Sequence, residues 1–331
     1  MPEERQKIKL AFLGCGFATK LHSKTLSGFD NSVQRFYASR DRQKAESYRT
    51  KYHGAGIFES YEAALTAKNI DAVLIATPPN SHLDLTLQAL KAGKHVIVEK
   101  PPFLSSKDFD TVRQAAKKVG KQVFVAENYF YKPLLAVLRN LLNEDVIGEI
   151  LFVHFNAMKE QKVKDWRGDI SLSGGGALFE GGIHWINFIS NFGLTLKSVH
   201  GFRPGDKKGL DKSVLMALEY EEGAVGAFYF SWETPALFKG LRISKIYGRL
   251  GSITFESNGI FVIVRGKRKC LIFPGLRDIA GYKGMFRDFI KAMQTGSAPA
   301  FTFDLAKKDL KTIEKTYASI EEKESGLRLW N

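Results

Sequence analysis

A turn of two glycines between a strand and a helix constrains this chain more than any other feature of its sequence. Residues 7–13 read as a short apolar strand, Gly14 and Gly16 follow at once, and a helical stretch continues to about Ser27. The first glycine of such a turn permits the tight bend, and the second lets the backbone approach a pyrophosphate. The phosphates then lie at a helix N-terminus, where N–H groups and the helix dipole favour anions. The pattern predicts the opening of a dinucleotide-binding fold.

Strands and helices keep alternating as far as residue 127. The apolar strand 72–76 is continuous, which is typical of a parallel sheet covered on both faces. Residues 1–127 are therefore predicted to form a doubly wound α/β domain of the Rossmann type. Further strands are predicted at 34–38, 95–98 and 122–126, and helices at 61–68, 83–91 and 106–119.

The remaining residues, 128–331, follow a different pattern and are predicted to form a second domain. Alternating apolar strands are joined by glycine turns, and two helices, 282–294 and 304–324, close the chain. This predicts an open, mostly antiparallel β-sheet flanked by helices, of the α+β class. Its strands are expected at 148–158, 214–220, 224–232, 241–248, 252–255, 260–264 and 269–273.

The residues after the second predicted strand bear on the choice of cofactor. NAD-binding folds place an acidic residue there to bond the ribose 2′-OH, but this chain has Ser39 and Arg40. A hydroxyl and a guanidinium suit a 2′-phosphate, because Arg grips phosphate through two parallel N–H bonds. The sequence therefore favours NADP over NAD. In the alternative, Asp41 turns inward and reads NAD.

Composition narrows the classes of function. Lys and Arg number 49 against 35 Asp and Glu, and the resulting charge of +14 favours anionic partners. The basic residues are spread along the chain rather than clustered, so a basic solvated surface is favoured over a nucleic-acid-binding site. With only Cys15 and Cys270, neither a disulfide framework nor a metal site is expected. No membrane helix or signal peptide is recognisable, so a cytoplasmic protein is expected.

A second glycine-rich segment carries a stripe of polar side chains. After Gly174–Gly176 the sequence is apolar nearly all round, which predicts a buried helix. Glu180, His184 and Asn187 are its polar residues before Ser190, and their spacing places them on one face. Burying these groups costs free energy unless they are paired or face a polar cavity. The stripe is thus either a catalytic face or a satisfied buried cluster without chemistry.

Several of these motifs together resemble one family. Segments 14–18, 38–40, 76–82 and 99–101 occur in the order and spacing of the glucose-fructose oxidoreductase, inositol dehydrogenase and rhizopine-catabolism (Gfo/Idh/MocA) family, which the chain resembles over nearly its whole length. The resemblance implies an NAD(P)-dependent dehydrogenase or reductase that acts on CH–OH groups. In the first half it implies cofactor contacts from Gly14, Gly16, Phe17, Ala18, Ser39, Arg40, Thr77, Pro78, Asn80, His82, Glu99 and Lys100.

The resemblance also implies catalytic roles. His184 is the expected general base, because an imidazole ordinarily titrates at about pH 6.5, close to working pH. Glu180, one turn earlier, would orient that imidazole. Lys100 would bond the same substrate oxygen and favour the alkoxide that develops during oxidation. Glu99 would contact the nicotinamide ribose, and a cis bond before Pro101 would fix Lys100.

Two further segments match family positions in the second half. Residues 165–169 resemble the Trp-Arg segment that lies near nicotinamide and substrate, which assigns Trp166 and Arg167 there. Residues 128–133 resemble the Asn-x-Arg-Tyr-x-Pro segment, which assigns Asn128 to the cofactor and Tyr129 to the substrate. The substrate contacts implied are Lys100, Tyr129, Arg167, His184 and Asn187.

Three positions depart from the family pattern. Glu180 stands where the family has Asp, so the carboxylate is carried on a longer arm. Asn187 also replaces an Asp and removes a charge, and Phe130 stands where the family has Arg. These changes bear on contacts with substrate.

The resemblance implies a sugar, inositol, sugar acid or related polyol as substrate. Lys159, Lys162, Lys164 and Arg167 precede the glycine-rich helix and would favour an acidic substrate if they line the pocket; a solvated loop is the alternative. A homodimer or homotetramer is also implied, through the outer face of the second-domain sheet. The rival function is a non-catalytic NADP-binding regulator of the same fold, which Phe130 and Asn187 leave open.

Overall fold

Short apolar strands build a parallel sheet in the first half of the chain. The computed structural model describes residues 7–162, 165–205, 209–236, 238 and 240–326. The first six strands are β1 (Ile8–Leu13), β2 (Val33–Ala38), β3 (Gly56–Phe58), β4 (Ala72–Ile75), β5 (His95–Val98) and β6 (Val123–Val125). They pair in parallel in the order β3-β2-β1-β4-β5-β6. β4 is buried along its whole length, because helices cover both faces of such a sheet.

The helices between these strands begin and end at local signals. Asp41 and Ser60 cap two of them by accepting hydrogen bonds from the N–H groups of Lys44 at 3.1 Å and Ala63 at 3.0 Å. Gly120, in the left-handed region with φ 63°, ends the last of them. The helices are α1 (Phe17–Leu26), α2 (Arg42–Lys51), α3 (Tyr61–Thr66), α4 (His82–Lys91) and α5 (Asp108–Val119).

The second half forms the predicted open sheet, in which eight strands are described. They are β7 (Ile150–Met158), β8 (Leu196–Phe202), β9 (Ser213–Tyr220), β10 (Val225–Ser231), β11 (Ile243–Gly248), β12 (Gly251–Glu256), β13 (Val262–Arg265) and β14 (Lys269–Ile272). Their order is β14-β13-β12-β11-β7-β10-β9-β8. Only the β7–β10 pair among them is parallel. The predicted fold class, α/β followed by α+β, is confirmed.

One face of this second sheet is covered and the other is open. Phe155 on β7 and Phe255 on β12 are buried and pack near Phe188. Phe152 and Tyr247, neighbours across β7 and β11, are on the opposite face and exposed. The helices of this half are α6 (Pro133–Asn143), α7 (Ile170–Ser173), α8 (Ile183–Asn191), α9 (Tyr282–Thr295) and α10 (Phe303–Gly326).

The chain divides into two compact units. One extends through Glu127 and also takes in Tyr282–Lys307; the other comprises Asn128–Gly281 and the chain from Lys308 onward. The sequence analysis placed 282–307 in the second domain, whereas the structure groups this segment with the first. The reason is aromatic packing, because Tyr282 and Phe286 of α9 contact the ring of His22 on α1 edge-on.

Candidate functional site

The glycine turn has the shape that a dinucleotide pyrophosphate needs. Gly14 has φ 102°, and a Cβ there would lie 2.9 Å from the carbonyl oxygen of Ala76, so only glycine fits. Gly16 caps the ten-residue helix α1, and a Cβ on it would meet nothing within 4 Å. Phe17 and Ala18 follow as the first helical residues. The N-terminus of α1 is therefore open to an anion.

Two side-chain hydroxyl groups fix this turn by hydrogen bonds to its backbone carbonyls. Thr19, which stands where the third glycine or alanine of the motif is usual, is buried and donates a hydrogen bond to the Gly14 carbonyl at 2.7 Å. The phenol of Tyr48 on α2 donates to the Gly16 carbonyl at 2.9 Å. The sequence analysis did not identify Tyr48, because it lies 32 residues from Gly16. The departure at Thr19 thus leaves the turn intact.

The residues predicted to select the cofactor lie at the end of β2. Asp41 accepts the Lys44 N–H at 3.1 Å and so caps α2, and its own N–H donates to the Ser39 hydroxyl at 3.2 Å. Arg40 is exposed. Because the Asp41 carboxylate is committed to the helix cap, its use as the acid that reads a ribose would cost that cap.

A short loop follows β4 at the same edge of the sheet. The Thr77 and Ser81 hydroxyls lie 2.6 Å apart, and Ser81 donates to the Pro78 carbonyl at 2.9 Å. Asn80 is exposed on this loop. These bonds hold Thr77, Pro78 and Asn80 beside the glycine turn, since parallel strands end at one edge.

His82 has a different role from the cofactor contact predicted for it. Its ring is 1% exposed, and both ring nitrogens lie 2.9 Å from backbone carbonyls, of Pro101 and of Thr77. Burial lowers the pKa of this imidazole, while the two carbonyls and the charge of Glu99 oppose the shift. With both nitrogens occupied, His82 links the loops after β4 and β5, and we leave it out of the proposed cofactor contacts.

The loop after β5 carries a fixed negative charge next to Lys100. The Lys100–Pro101 bond is cis, which confirms that prediction. Glu99 pairs with His22 of α1 and accepts the backbone N–H of Lys100 at 3.0 Å. Burial alone would raise the pKa of Glu99, but His22, through its charge and hydrogen bond, and Lys100 lower it to about 2. Glu99 is therefore an anion over the whole physiological range.

His22 is a residue that the sequence analysis missed. It lies 77 residues from Glu99 along the chain and is buried. The signal that could have identified it is a histidine on the inward face of α1, where an unpaired imidazole would be costly. It positions Glu99 rather than contacting a ligand.

In the second unit, the glycine-rich segment forms a π-helical turn, Leu178–Gly182, that continues into α8. The sequence predicted a buried helix here but not this turn. Glu180 is buried, and its carboxylate accepts a hydrogen bond from the Arg167 guanidinium at 3.1 Å. The Arg167 guanidinium also lies 4.5 Å from the centre of the Trp166 ring. The orienting role of Glu180 toward His184 stays a prediction.

His184 lies on an aromatic platform. Its ring stacks on Tyr129 with centroids 4.5 Å apart and planes 15° apart. The ammonium of the buried Lys132 lies 4.3 Å from the centre of the Tyr129 ring, and Trp185 meets that ring edge-on. Tyr129 therefore holds the plane of the His184 imidazole, which is partly exposed.

The buried Asp211 and its partner Tyr317, which lie outside the predicted motifs, hold the glycine-rich turn. Asp211 accepts the Leu178 N–H at 2.9 Å and the Tyr317 hydroxyl at 2.7 Å. A Cβ on Gly176 would lie 2.0 Å from the Asp211 carboxylate, and one on Gly181 would lie 2.9 Å from the Trp232 ring. Burial raises the pKa of Asp211, and these donors oppose that shift. The glycines thus make room for the groups that fix the turn.

Two more predicted contacts have internal partners. Asn128 is buried and its amide donates to the Ala280 carbonyl at 2.6 Å. Asn187 is fully buried and donates to Asp309 at 2.7 Å. Because these amides are committed inside the unit, we leave Asn128 out of the cofactor contacts and Asn187 out of the substrate contacts. Phe130 lies under the Arg139 guanidinium, 4.7 Å from ring centre to carbon.

The structure brings the remaining predicted residues into two groups, one in each unit. In the first, the glycine turn, Arg40, Thr77 and Lys100 follow successive strands of one parallel sheet. In the second, Arg167 joins Glu180, and Tyr129 joins His184. Lys164 lies outside the described residues.

The described residues contain neither a candidate metal site nor a candidate membrane-spanning helix. No group of three or more His, Cys, Asp or Glu side chains there could hold a metal ion. No described helix is both long and apolar enough to cross a membrane.

Comparison with protein families gives matches in both halves of the chain. The profile of the oxidoreductase family with an NAD-binding Rossmann fold, GFO_IDH_MocA, matches residues 8–127. The profile of the GFO/IDH/MocA C-terminal domain matches residues 135–254.

Several similar proteins of known activity are sugar dehydrogenases. D-xylose 1-dehydrogenase (NADP(+)) 2 of Haloferax volcanii is 24% identical over 290 residues, 86% of this chain and 88% of that enzyme. Glucose-6-phosphate 3-dehydrogenase of Bacillus subtilis is 29% identical over 186 residues, 55% of this chain and about half (52%) of that enzyme. These names favour an enzyme over the non-catalytic regulator considered above.

Solved structures share the fold. A levoglucosan dehydrogenase in complex with NADH and levoglucosan superimposes with a TM-score of 0.84 at 20% identity, covering 96% of this chain and 98% of that one. An oxidoreductase domain protein from Kribbella flavida gives 0.85 at 18% identity, with the same coverage.

Proposed function

Because the chain belongs to the Gfo/Idh/MocA oxidoreductase family, we propose that it interconverts a secondary alcohol and a ketone on a sugar or related polyol, with NADP as its preferred cofactor. The family relationship makes it an NAD(P)-dependent oxidoreductase. We further propose the secondary alcohol as the reacting group, NADP as the preferred cofactor, and catalytic roles for Lys100 and His184.

The observation that carries the proposal is the arrangement at the carboxyl edge of the parallel sheet. The open glycine turn follows β1, Arg40 follows β2, and Glu99 and Lys100 follow β5. Ligands of doubly wound sheets bind at this edge. A dinucleotide laid along it would have its phosphates at α1 and a fixed carboxylate and a lysine farther along.

Lys100 is proposed as a catalytic residue. A nicotinamide cofactor supplies the hydride acceptor or donor. The Lys100 ammonium would hydrogen-bond the substrate hydroxyl and stabilise the negative charge that builds on oxygen as its proton leaves. Glu99 keeps a compensating charge beside it, held in place by His22.

His184 is proposed to accept the hydroxyl proton. Its ring plane is fixed by the stack on Tyr129, so its nitrogens point in set directions. Glu180 is buried and paired with Arg167, which gives a fixed carboxylate one turn before it. An acid behind a catalytic histidine stabilises the imidazolium that forms.

A neutral sugar or polyol is proposed as the substrate. Of the basic residues that would favour an acidic substrate, Arg167 has its charge offset by Glu180 at 3.1 Å. The name of the similar D-xylose 1-dehydrogenase supports a neutral sugar, and that of the glucose-6-phosphate 3-dehydrogenase supports a carbohydrate, although its substrate carries a phosphate.

NADP is favoured by two features after β2. Arg40 is exposed at the position that reads the ribose, and the nearest acid, Asp41, is committed to the cap of α2. A 2′-phosphate could accept hydrogen bonds from the guanidinium without disturbing that cap.

The test is absorbance at 340 nm with NADP or NAD and a panel of aldoses, glycosides, inositols and sugar acids. We expect reduction of NADP with at least one neutral member and slower turnover of the matching sugar acid. Cofactor binding without turnover on any member, in either direction of reaction, would refute the proposed substrate class.

A further inference from the structure

A second concave surface lies in the first unit, at the opposite edge of the parallel sheet from the glycine turn. It is a cleft of about 750 Å³ at the amino ends of β1, β4 and β5. Lys7, Lys68, Lys94 and Lys121 line it, together with Asp71 and His95. None of these residues was singled out in the sequence, because they come from four separate stretches of the chain.

The lining of the cleft carries more positive than negative charge. Four lysines face one aspartate in the lining, and that carboxylate already accepts the N–H of Lys9 at 2.8 Å. The C-terminal ends of α3, α4 and α9 also reach the cleft. Each helix end carries about half a negative charge, which leaves an excess of about 1.5 positive charges before His95 is protonated.

The lysines divide into one that is structural and three that are not. The buried ammonium of Lys94 donates to the carbonyls of Ala67 and Ile70, each at 2.7 Å, and so fixes a charge in the floor. In the part of the chain that the structure describes, Lys7, Lys68 and Lys121 form no ion pair with a carboxylate. Within the described residues, no carboxylate therefore compensates these three charges.

Like charges in the cleft oppose one another. Burial lowers the pKa of Lys94; the charge of Asp71 opposes this shift, and the charge of Lys121 adds a smaller contribution in the direction of burial. Burial also lowers the pKa of His95, and Lys121 again adds to the shift. An anion in the cleft would relieve this repulsion, because it lowers the free energy of the cationic forms of the lysines and of His95.

We propose that this cleft binds a small anion with several linked phosphate groups, such as a triphosphate chain. Lysines bind phosphate as point charges, and several of them around an open cleft suit a ligand whose charge is spread over adjacent groups. A single phosphate would engage only part of the lining. The site is separate from the cofactor edge, so this inference goes beyond the proposed function and stands or falls independently.

The test is calorimetric titration with inorganic tripolyphosphate in the presence of saturating NADPH, which fills the phosphate site at the glycine turn. We compare the wild type with the Lys68→Gln/Lys121→Gln double variant. Lys51→Gln is the matched control, because Lys51 also ends a helix of this unit but does not line the cleft. We expect the double variant to bind at least tenfold more weakly and the control to stay within twofold.

A local readout comes from the imidazole of His95 in NMR spectra, assigned through its loss in His95→Gln. Tripolyphosphate should raise the His95 pKa in the wild type and leave it nearly unchanged in the double variant. Wild-type protein that does not bind, or a double variant that binds equally well, overturns the proposal. Equal affinity for single inorganic phosphate would overturn the assignment to linked phosphates.

Discussion

At the scale of single residues, the roles of Lys100 and His184 give the first prediction. Lys100→Ala and His184→Ala should each lower kcat by about 10²–10⁴ and leave NADPH binding intact. If both groups serve one proton transfer, the double variant should be about as slow as the slower single variant. Steady-state rates and NADPH fluorescence titration measure the two effects.

If the losses of kcat in the two single variants multiply in the double variant, Lys100 and His184 do not serve the same proton transfer. A single variant that keeps nearly the wild-type rate would remove that residue from the mechanism. Arg49→Ala is a control for general effects of removing a charge, because this partly exposed residue pairs with Glu46 of the same helix, α2.

Arg40 decides between the two cofactors in the second prediction. Arg40→Ala should raise KM for NADP by about tenfold or more and change KM for NAD little, because the guanidinium would contact only the 2′-phosphate. The ratio of kcat/KM for the two cofactors measures this. An unchanged ratio would mean that another residue reads the ribose.

The Glu99–His22 pair predicts a pH dependence. The pKa of Glu99 falls from 4.5 to about 2 in the folded protein, so this group stabilises the fold above pH 4.5 and loses that contribution as the pH falls toward 2. In His22→Gln the depression shrinks, and the unfolding midpoint should depend less on pH in this window. Urea unfolding between about pH 5 and pH 3 measures it.

His200→Gln provides the comparison, because His200 is exposed on β8. If the unfolding midpoints of wild type and His22→Gln change equally with pH, His22 does not depress the pKa of Glu99. A flattened curve in His200→Gln would show that any histidine has the effect.

At the scale of elements, the π-helical turn gives a prediction about packing. A methyl group on Gly176 would collide with Asp211, which holds the Leu178 N–H and the Tyr317 hydroxyl. Gly176→Ala should therefore cost about 1–3 kcal/mol, or a melting temperature lower by about 2–4 °C per kcal/mol. The displaced turn should also lower kcat, since it leads into α8 and His184.

Gly28→Ala is the matched control, because a Cβ there meets nothing within 4 Å. We expect its melting temperature to stay within about 1 °C of wild type. Calorimetry and initial rates give both readouts. If Gly176→Ala melts with the control, Asp211 does not fix the turn.

The elements that the sequence predicted are those with strong periodicity. The buried strands β4 and β5 and the long helix α9 were predicted within one residue at each end. The segment of α2 was not, because Ala45 is its only buried residue and an apolar stripe is missing. α6 had a signal that went unused: Pro133 at its start and leucines at helical spacing.

Parts of the candidate site depend on contacts that no local pattern contains. Tyr48 lies 32 residues from Gly16, His22 lies 77 residues from Glu99, and Asp211 lies 33 residues from the Leu178 N–H that it accepts. Asp211 lies close to Gly176 and Trp232 lies close to Gly181, and nothing in the local sequence identifies these two neighbours. The sequence therefore predicted candidate site residues, whereas the residues that hold them in place could be identified only in the structure.

At the scale of the whole molecule, the open face of the second sheet gives the last prediction. Phe152, Tyr247 and Val225 are neighbours across β11, β7 and β10 and are exposed. Exposed apolar patches of this kind mark protein interfaces. We expect a homodimer through this face, and Phe152→Glu should shift the protein to monomer, as measured by sedimentation equilibrium.

Leu276→Glu is the control, because Leu276 is an exposed leucine outside the sheet. Its oligomeric state should match that of the wild type. A wild type that is monomeric at micromolar concentration, or a Phe152→Glu variant that still associates, would place the interface elsewhere.

The return of Tyr282–Lys307 to the first unit has a consequence for biosynthesis. During translation the amino-terminal residues leave the ribosome long before α9, whose Tyr282 and Phe286 complete the packing around His22. About 150 further residues are synthesised before α9 can pack there, so the nascent first unit leaves the surface of α1 around His22 uncovered. A fragment ending at Glu127 would keep that surface uncovered and should be less stable and more prone to aggregation.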